Sequence, residues 1–181
     1  MTARVILTYD DYAALPEDGR RYELYEGELI VTPAPRPRHQ SVIGNLYLLT
    51  ADHVRQHGLG EVYLSPIDVI LNRITVLQPD LVYLATACLG LVTERAIEGA
   101  PTLVVEVLSP STDARDRSIK QALYARHGVL YYWIVDPSAR TVQALRLVGE
   151  SYKAVGTLDA TTPVALPPLS ELTLDPGAVW R

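Results

Sequence analysis

Apolar residues recur at three- and four-residue spacing over residues 39–57, and this period predicts the longest helix of the chain. A second helix is predicted over residues 115–127, where Gly128 follows as a terminator. A third, short helix is predicted over residues 9–15, before Pro16. These three segments are the only helical candidates that the pattern supports.

Elsewhere the apolar residues alternate with polar ones or form short unbroken runs, which predicts β-strands. Residues 21–31 are typical of a hairpin around Gly27. Proline at positions 33, 35 and 37 predicts a stiff extended arm, and the segment after residue 155 shows little regular pattern. The sum predicts an α/β fold of the α+β kind, a mixed and largely antiparallel sheet flanked by helices, in one domain over residues 1–181. The remaining strands are predicted at residues 61–64, 67–71, 74–84, 102–108, 130–135, 141–147 and 151–155.

Composition narrows the class of protein. The 181 residues are 48% hydrophobic and 20% charged, as in ordinary globular domains, and the single cysteine, Cys88, excludes an internal disulfide framework. No apolar run reaches the roughly 18 residues of a membrane span, and the N-terminus lacks a signal-peptide pattern, so we expect a cytoplasmic protein without membrane association. The net charge of −5 has the wrong sign for general nucleic-acid coating, so such binding must rest on local basic patches.

Two carboxylates stand beside apolar strand residues. Glu106 interrupts a run of leucine and valine, and strand alternation places it on one face with Val104 and Leu108. Asp80 precedes another apolar run. Either could be a solvated or arginine-paired carboxylate at a strand end or turn. Adjacent strands could also bring the two within a few ångströms, where they would suit Mg²⁺.

Basic residues offer candidate phosphate contacts. Lys120 lies at the border between the polar and apolar stripes of the second predicted helix, so its ammonium could reach a cleft or remain in solvent. Residues 113–127 carry four basic and two acidic side chains, a local balance of +2. The candidate phosphate contacts are Arg20, Arg21, Arg36, Arg38, Arg115, Arg117 and Arg126.

Histidines offer weaker signals. His39 begins the long predicted helix beside the arginine-bearing arm and could contact phosphate or a metal-bound water, although capping or core packing is the usual role of such a histidine. His53 and His57 lie one turn apart without an HExxH pattern, so we expect them on a solvated helix face.

Four stretches in combination resemble a known family. They are YELYEGELI, QPDLVYL, LVVEVLSPST, and the run from Lys120 through YARHGVLYYWIVDP. The chain is similar to the large bacterial family called "putative restriction endonucleases", within the PD-(D/E)XK nuclease superfamily. The Pro-Asp pair and Glu106 are separated by 25 residues, and Leu108 stands where that signature has lysine. In this superfamily the lysine can migrate to the adjacent helix, and Lys120 matches that place.

The resemblance implies a restriction-endonuclease-like fold, a divalent metal and phosphodiester hydrolysis. Asp80 and Glu106 would hold Mg²⁺, with Mn²⁺ as an alternative, helped by the backbone carbonyl of Val107, while Lys120 would orient water or stabilise the developing charge. Glu23 matches a family glutamate near the active-site face. The implied partners are nucleic acid, with DNA expected, and a second copy of the chain in a homodimer. The expected nucleic-acid contacts are Arg36, Arg38, His39, Arg115 and Arg117.

Two other classes of function remain open at this level. The missing lysine of the signature and the acidic net charge favour a restriction-fold protein with weak or no catalysis that binds nucleic acid or a protein. A glycosidase with two carboxylates also has the residue types, and it would require an aromatic-lined cleft and no metal.

Overall fold

The computed structural model describes residues 5–16, 18–109 and 116–181. These residues form a six-stranded sheet, a five-stranded sheet and a two-stranded hairpin, with helices on the surfaces of the larger sheet. The elements in chain order are α1 (Tyr9–Ala13), β1 (Arg21–Tyr25), β2 (Glu28–Thr32), α2 (Pro37–Gln56), β3 (Gly60–Leu64), β4 (Val69–Asn72), β5 (Thr75–Leu77), β6 (Leu81–Ala85), a 3₁₀ helix (Thr86–Leu91), β7 (Ile97–Glu98), β8 (Leu103–Val107), a π-helical turn (Asp116–Lys120), α3 (Gln121–Arg126), β9 (Tyr131–Asp136), β10 (Thr141–Val148), β11 (Ser151–Leu158), β12 (Val164–Leu166), β13 (Leu169–Leu174) and α4 (Pro176–Val179).

The six-stranded sheet has the order β11-β10-β9-β8-β6-β3 and places β8 near its centre. Neighbouring strands are antiparallel except for β8 and β9, which are parallel and are joined through the π turn and α3. Alternate residues of β8 face opposite sides. Val105 packs with α2 residues such as Leu46, while Val104 packs with Leu123 and Tyr124 of α3. The predicted mixed, largely antiparallel fold is confirmed.

The five-stranded sheet has the order β2-β1-β5-β4-β7. The predicted hairpin at residues 21–31 is present as β1 and β2, and Glu26 and Gly27 at its turn have φ of 48° and 83°. Positive φ at both turn residues matches the twist of the flanking strands, as in a type I′ turn. This hairpin brings Glu23 on β1 beside the chain that leaves β5.

The predicted strand at residues 74–84 is wrong as a single element. It is divided into β5 and β6, which belong to different sheets. Pro79, which lacks a backbone N–H, stands in the break between them. The division places Asp80 at the entry to β6, where the two sheets adjoin.

Two of the helix predictions need correction. The long helix begins at Pro37 rather than His39, since proline at the first helical position leaves no N–H unsatisfied, so Arg38 belongs to α2 and not to the extended arm. The helix predicted at residues 115–127 is a π turn followed by a short α-helix. Residue 115, and hence the candidate contact Arg115, lies outside the described residues.

One further expectation fails. The segment after residue 155 is regular: it contains the β12–β13 hairpin and α4, whose Val179 and Trp180 pack into the main core. From the sequence, the apolar residues around 67–71 are the predicted dimer contact, and β4 lies between β5 and β7 in the five-stranded sheet, so a contact there would use a face of the sheet rather than a strand edge. Among the described residues, no helix has the length and apolar character needed to cross a lipid bilayer.

Candidate active site

Asp80 and Glu106 belong to paired neighbouring strands. The antiparallel register of β6 and β8 pairs Leu81 with Val105, and one further step brings Asp80 opposite Glu106. Residues directly opposite in an antiparallel pair project to the same side of the sheet. Both residues line a single cleft, so the two carboxylates are neighbours on one surface.

The carboxylate of Asp80 is held by the neighbouring strand. The backbone N–H of Val107 donates to its Oδ2 at 2.8 Å, and Nε2 of His39 lies 3.3 Å from the same oxygen. Asp80 is only 5% exposed. Its orientation is therefore determined through one oxygen by the backbone of β8 and by the first turn of α2.

Glu106 is buried on the face that α3 covers. Nζ of Lys120 and the hydroxyl of Tyr124 both donate to its Oε1, at 2.9 and 2.7 Å. Tyr124 is fully buried, and this burial, together with the nearby charge of Glu106, raises the pKa of its hydroxyl well above the usual range. The tyrosine therefore remains a hydrogen-bond donor to the carboxylate at any pH that the protein experiences.

Glu23 is the second carboxylate that contacts Lys120, with Oε1 at 3.0 Å from Nζ. The same oxygen accepts from the backbone N–H of Gln78 at 2.8 Å, and Oε2 accepts from the hydroxyl of Tyr25 at 2.7 Å. Burial acts to raise the pKa of Glu23, but the Lys120 ammonium and these hydrogen bonds outweigh it and leave that pKa below its ordinary value. Glu23 is therefore ionised, and it contacts the same ammonium as Glu106.

The π turn explains why Lys120 is buried and its neighbour is not. A regular helix pattern places Ile119 on the apolar stripe and Lys120 at its border. In the structure Ile119 is 50% exposed and Lys120 only 5%. The wider π turn shifts the residues around the helix axis, and such turns often mark functional sites.

Several buried carboxylates gather around one buried cation in the described part of the chain. Glu23, Asp80 and Glu106 are each at most 5% exposed, and Lys120 is the one lysine or arginine buried among them in these residues. Carboxylates that lie close together make the local potential negative, and a bound divalent cation is often the charge that compensates it. This cluster therefore has the electrostatic character of a divalent-cation site.

The donor set also suits a hard cation. Magnesium binds one or two carboxylates and keeps several waters, so it does not need a complete protein cage. Within the described residues no three histidine, cysteine, aspartate or glutamate side chains converge closely enough to hold an ion alone. Asp80 and Glu106, with water and substrate oxygens, fit Mg²⁺ or Mn²⁺ in this partial manner, and the carbonyl of Val107 is the third predicted ligand.

The cleft has a volume of about 220 Å³ and a basic entrance. Arg36 is exposed at its entrance, and the guanidinium of Arg21 donates to the side chain and carbonyl of Gln78, each at 3.2 Å. No tyrosine, tryptophan or phenylalanine is among the described residues that line it, which are Arg21, Thr32, Pro33, Ala34, Pro35, Arg36, His39, Gln78, Asp80, Glu106, Val107, Ser109 and Lys120. This lining does not match the aromatic-lined cleft that a glycosidase would need.

The predicted nucleic-acid contacts divide into two groups. Arg36 and His39 line the cleft, although His39 is buried and its Nδ1 has no hydrogen-bond partner in the described chain. Arg38 is exposed on the first turn of α2 but does not line the cleft. Arg117 forms an ion pair of 3.1 Å with Asp136, and neither residue lines the cleft.

The other histidine prediction is partly wrong. The rings of His53 and His57 are in contact at a tilt of 34°, with their centroids 4.3 Å apart, and His57 is exposed as expected. His53 is buried, however, with only 9% exposed. It lies on the face of α2 that also carries the core residues Leu46 and Val54.

Three residues that contact the site residues have no role predicted from the sequence: Tyr25, Gln78 and Tyr124. Tyr124 and Tyr25 donate to the two glutamates that hold Lys120, and Gln78 joins Glu23 to Arg21. A partial signal exists for the tyrosines, because Tyr124 is four residues after Lys120 on a helix and Tyr25 is two after Glu23 on a strand. The role of Gln78 depends on a contact between separate segments, and spacing along the chain does not reveal it.

Comparison with known proteins places this geometry among nuclease-like folds. The family model Uma2, described as "Putative restriction endonuclease", matches residues 9–177. The chain is similar to a crystal structure described as "a putative nuclease belonging to DUF820 from Anabaena variabilis ATCC 29413", with a TM-score of 0.78. The identity is 20%, and the match covers 96% of this chain and 97% of that chain. At this identity the likeness concerns the fold alone. No curated protein matches the chain.

Proposed function

This chain belongs to the Uma2 family described as "Putative restriction endonuclease", and we propose that it is a metal-dependent nuclease that hydrolyses phosphodiester bonds, with DNA as the expected substrate. One observation carries the proposal. Asp80, Glu106 and Lys120 line a single cleft although they come from three separate segments, and two of these three buried side chains are carboxylates.

Asp80 and Glu106 would hold the metal, with the carbonyl of Val107 as a further ligand. A bound divalent cation supplies Lewis-acid polarisation of the phosphate and lowers the pKa of bound water. The Val107 N–H and His39 engage the same oxygen of Asp80, and this contact orients the other oxygen without competing for it. Tyr124 orients Glu106 in the same manner.

Lys120 would act on the reacting atoms. Its ammonium lies beside Glu106 at the cleft, within reach of a nucleophilic water or a non-bridging phosphate oxygen. Glu23 pairs with that group and limits its rotation. A fixed cation at the position where negative charge develops typically contributes about 10²–10³ in rate.

The arginines at the entrance supply the substrate contacts. Arg21 and Arg36 reach the cleft from two segments, the start of β1 and the N-cap of α2. They are few, and the site beneath them is acidic. Polynucleotide binding is therefore expected to depend on the metal, because the ion reverses the local sign that a phosphate meets.

A binding module with weak or absent catalysis is the second candidate. The observation that favours it is the double ion pair of Lys120, because an ammonium engaged by Glu23 and Glu106 is less available to a substrate. The two candidates differ in one result: whether a metal supports turnover.

The test is cleavage of supercoiled plasmid and of single-stranded oligonucleotides with Mg²⁺, Mn²⁺ or EDTA. The wild type should cleave with metal and not with EDTA, and Glu106→Gln and Asp80→Asn should lose turnover. Glu171→Gln, an exposed glutamate on β13, serves as the matched control. Metal-dependent binding without cleavage by the wild type would select the binding module. Cleavage retained by Glu106→Gln would refute the proposed site.

A further inference from the structure

A second cavity lies directly beside the proposed active site, on the other side of Asp80. It measures about 180 Å³ and shares Arg21, Pro35 and Asp80 with the first cleft. Because the cavities meet at Asp80, a chain whose phosphate is held there would bring an adjacent nucleotide to the second one.

The walls of this cavity combine apolar and polar residues. Its apolar part is lined by Ile43 of α2, Leu64 at the end of β3, and the two prolines Pro35 and Pro66. Pockets for drug-sized ligands measure roughly 300–1,000 Å³, so this smaller space suits one flat ring system. Nucleobases are flat and largely apolar on their faces, and any base can stack on such a surface.

The cavity has open volume beside Gly44, because glycine has no side chain. Gly44 lies inside α2, where glycine weakens a helix relative to almost every other residue. A Cβ built on Gly44 would meet no atom within 4 Å, so no neighbouring element approaches closely enough to require glycine. What the missing side chain leaves instead is open volume on the cavity side of the helix.

Besides Arg21 and Asp80, which the first cleft shares, two polar residues line the cavity. Ser65 lines the cavity, and its Oγ is buried without a hydrogen-bond partner among the described residues. Gln40 contributes an exposed amide, which both donates and accepts. The edge of a nucleobase carries the complementary N–H and C=O groups, which an aliphatic ligand lacks.

We propose that this cavity binds an unpaired nucleobase adjacent to the phosphate at Asp80, an inference that rests on the proposed nuclease function. A base inside a duplex is stacked and paired, and bringing it into a side cavity costs the energy of unstacking. The preferred substrate is therefore single-stranded nucleic acid or a locally opened duplex.

The experiment compares two single-stranded probes of equal length in the presence of Ca²⁺. One is fluorescein-labelled oligodeoxythymidylate, and the other is the same backbone with abasic tetrahydrofuran units, which keeps the phosphates and removes the bases. Fluorescence anisotropy gives the Kd for each. The wild type should bind the thymidylate on the order of 10-fold more tightly than the abasic probe.

Gly44→Leu would fill the cavity and should bring the ratio of the two Kd values close to one. Gly44→Ala fills less of the space and should give an intermediate ratio. Both changes raise helix propensity at a position with open space, so their Tm should not fall, and the alanine variant carries the test if leucine disturbs the fold. Gln56→Leu adds the same side chain about 18 Å along α2 and should keep the wild-type ratio.

Equal Kd values for the two probes in the wild type, or an unchanged ratio in the Gly44 variants, would overturn the inference. Hydrolysis of bis(4-nitrophenyl) phosphate, measured in parallel with Mn²⁺, tests the nuclease function separately. Hydrolysis with no base preference refutes the cavity alone. Base preference with no hydrolysis of any phosphodiester refutes the nuclease proposal and supports the cavity.

Discussion

The backbone N–H of Val107 donates a 2.8 Å hydrogen bond to Oδ2 of Asp80 and joins the two strands that carry the acidic residues of the site. Val107 directly follows Glu106, so the strand that carries one carboxylate also orients the other. A small shift of β6 against β8 would change both positions together, and the geometry of the site is therefore a property of the strand pairing.

Removal of the Lys120 charge should affect stability and turnover together. Lys120→Met keeps much of the side-chain volume but leaves Glu23 and Glu106 buried without their cation, which typically costs about 3–5 kcal/mol. Turnover should fall by about 10²–10³, while Mn²⁺ binding measured by calorimetry should be retained or strengthened. Chemical denaturation and plasmid cleavage provide the other two measurements.

A double variant separates the loss of stability from the loss of turnover in Lys120→Met. Glu23→Gln combined with Lys120→Met removes one carboxylate as well as the cation, so it should recover part of the lost stability without recovering turnover. Turnover at the wild-type level in either variant would show that Lys120 has no part in the reaction.

Tyr124→Phe should reduce turnover through the position of Glu106. The change removes a 2.7 Å hydrogen bond to a buried carboxylate and should cost about 1.5–3 kcal/mol of stability. Tyr152→Phe is the matched control, because its hydroxyl donates to the carbonyl of Val129 at 2.6 Å, away from the cleft. The control should lose stability but keep kcat and metal affinity. If the two variants behave alike in kcat, Tyr124 is only structural.

The acid stability of the protein should depend on Glu23. Its pKa is lowered in the folded state from an ordinary 4.5, so its contribution is complete above pH 4.5 and is lost as the pH falls through the folded-state pKa. Between these values the unfolded state binds more protons, and the free energy of unfolding should decrease with a slope of up to about 1.36 kcal/mol per pH unit.

Glu23→Gln should show a shallower acid slope than the wild type, measured by urea denaturation at a series of pH values. Glu171→Gln, at an exposed position, should keep the wild-type slope. An unchanged slope in Glu23→Gln would contradict the ion pair with Lys120 as the source of this stability.

Nucleic-acid binding should require a divalent ion and show a shallow salt dependence. Ca²⁺ should raise affinity by balancing the carboxylates, and Glu106→Gln should remove that effect. With Arg21, Arg36 and Lys120 as the cations that line the cleft, about 2–4 phosphate contacts are expected from the slope of log K against log salt. Arg36→Ala should weaken binding more than Arg117→Ala, because Arg117 is paired with Asp136. Tight binding in EDTA would contradict this account.

A homodimer remains the prediction for the oligomeric state. A two-fold assembly would present two sites to the two strands of a locally opened duplex. The contact cannot use β4 as an added strand, because both of its edges are paired. Sedimentation velocity at micromolar concentration measures the state, and a monomer there would remove this prediction without affecting the chemistry of the cleft.

The local pattern of hydrophobic and polar residues determined several elements of this fold. The period of α2, the hairpin with Gly27 and the alternation in β8 all follow from which side chains must be withdrawn from water, and that requirement is readable residue by residue. Glu106 was conspicuous for the same reason, since a carboxylate within an apolar strand needs a partner. The resemblance to nucleases identified Glu23 as a candidate site residue and matched Lys120 to the lysine of the nuclease signature.

Only the tertiary structure decided how residues 74–84, the segment after residue 155 and the Lys120 side chain are arranged. Whether residues 74–84 form one strand or two depends on which sheets have space for them, and the regular segment after residue 155 forms because the main core needs the cover of Trp180. Lys120 becomes buried rather than solvated because two carboxylates from separate strands converge on it. Such contacts join residues far apart in the chain, and their energies depend on distance and burial, which no local pattern contains.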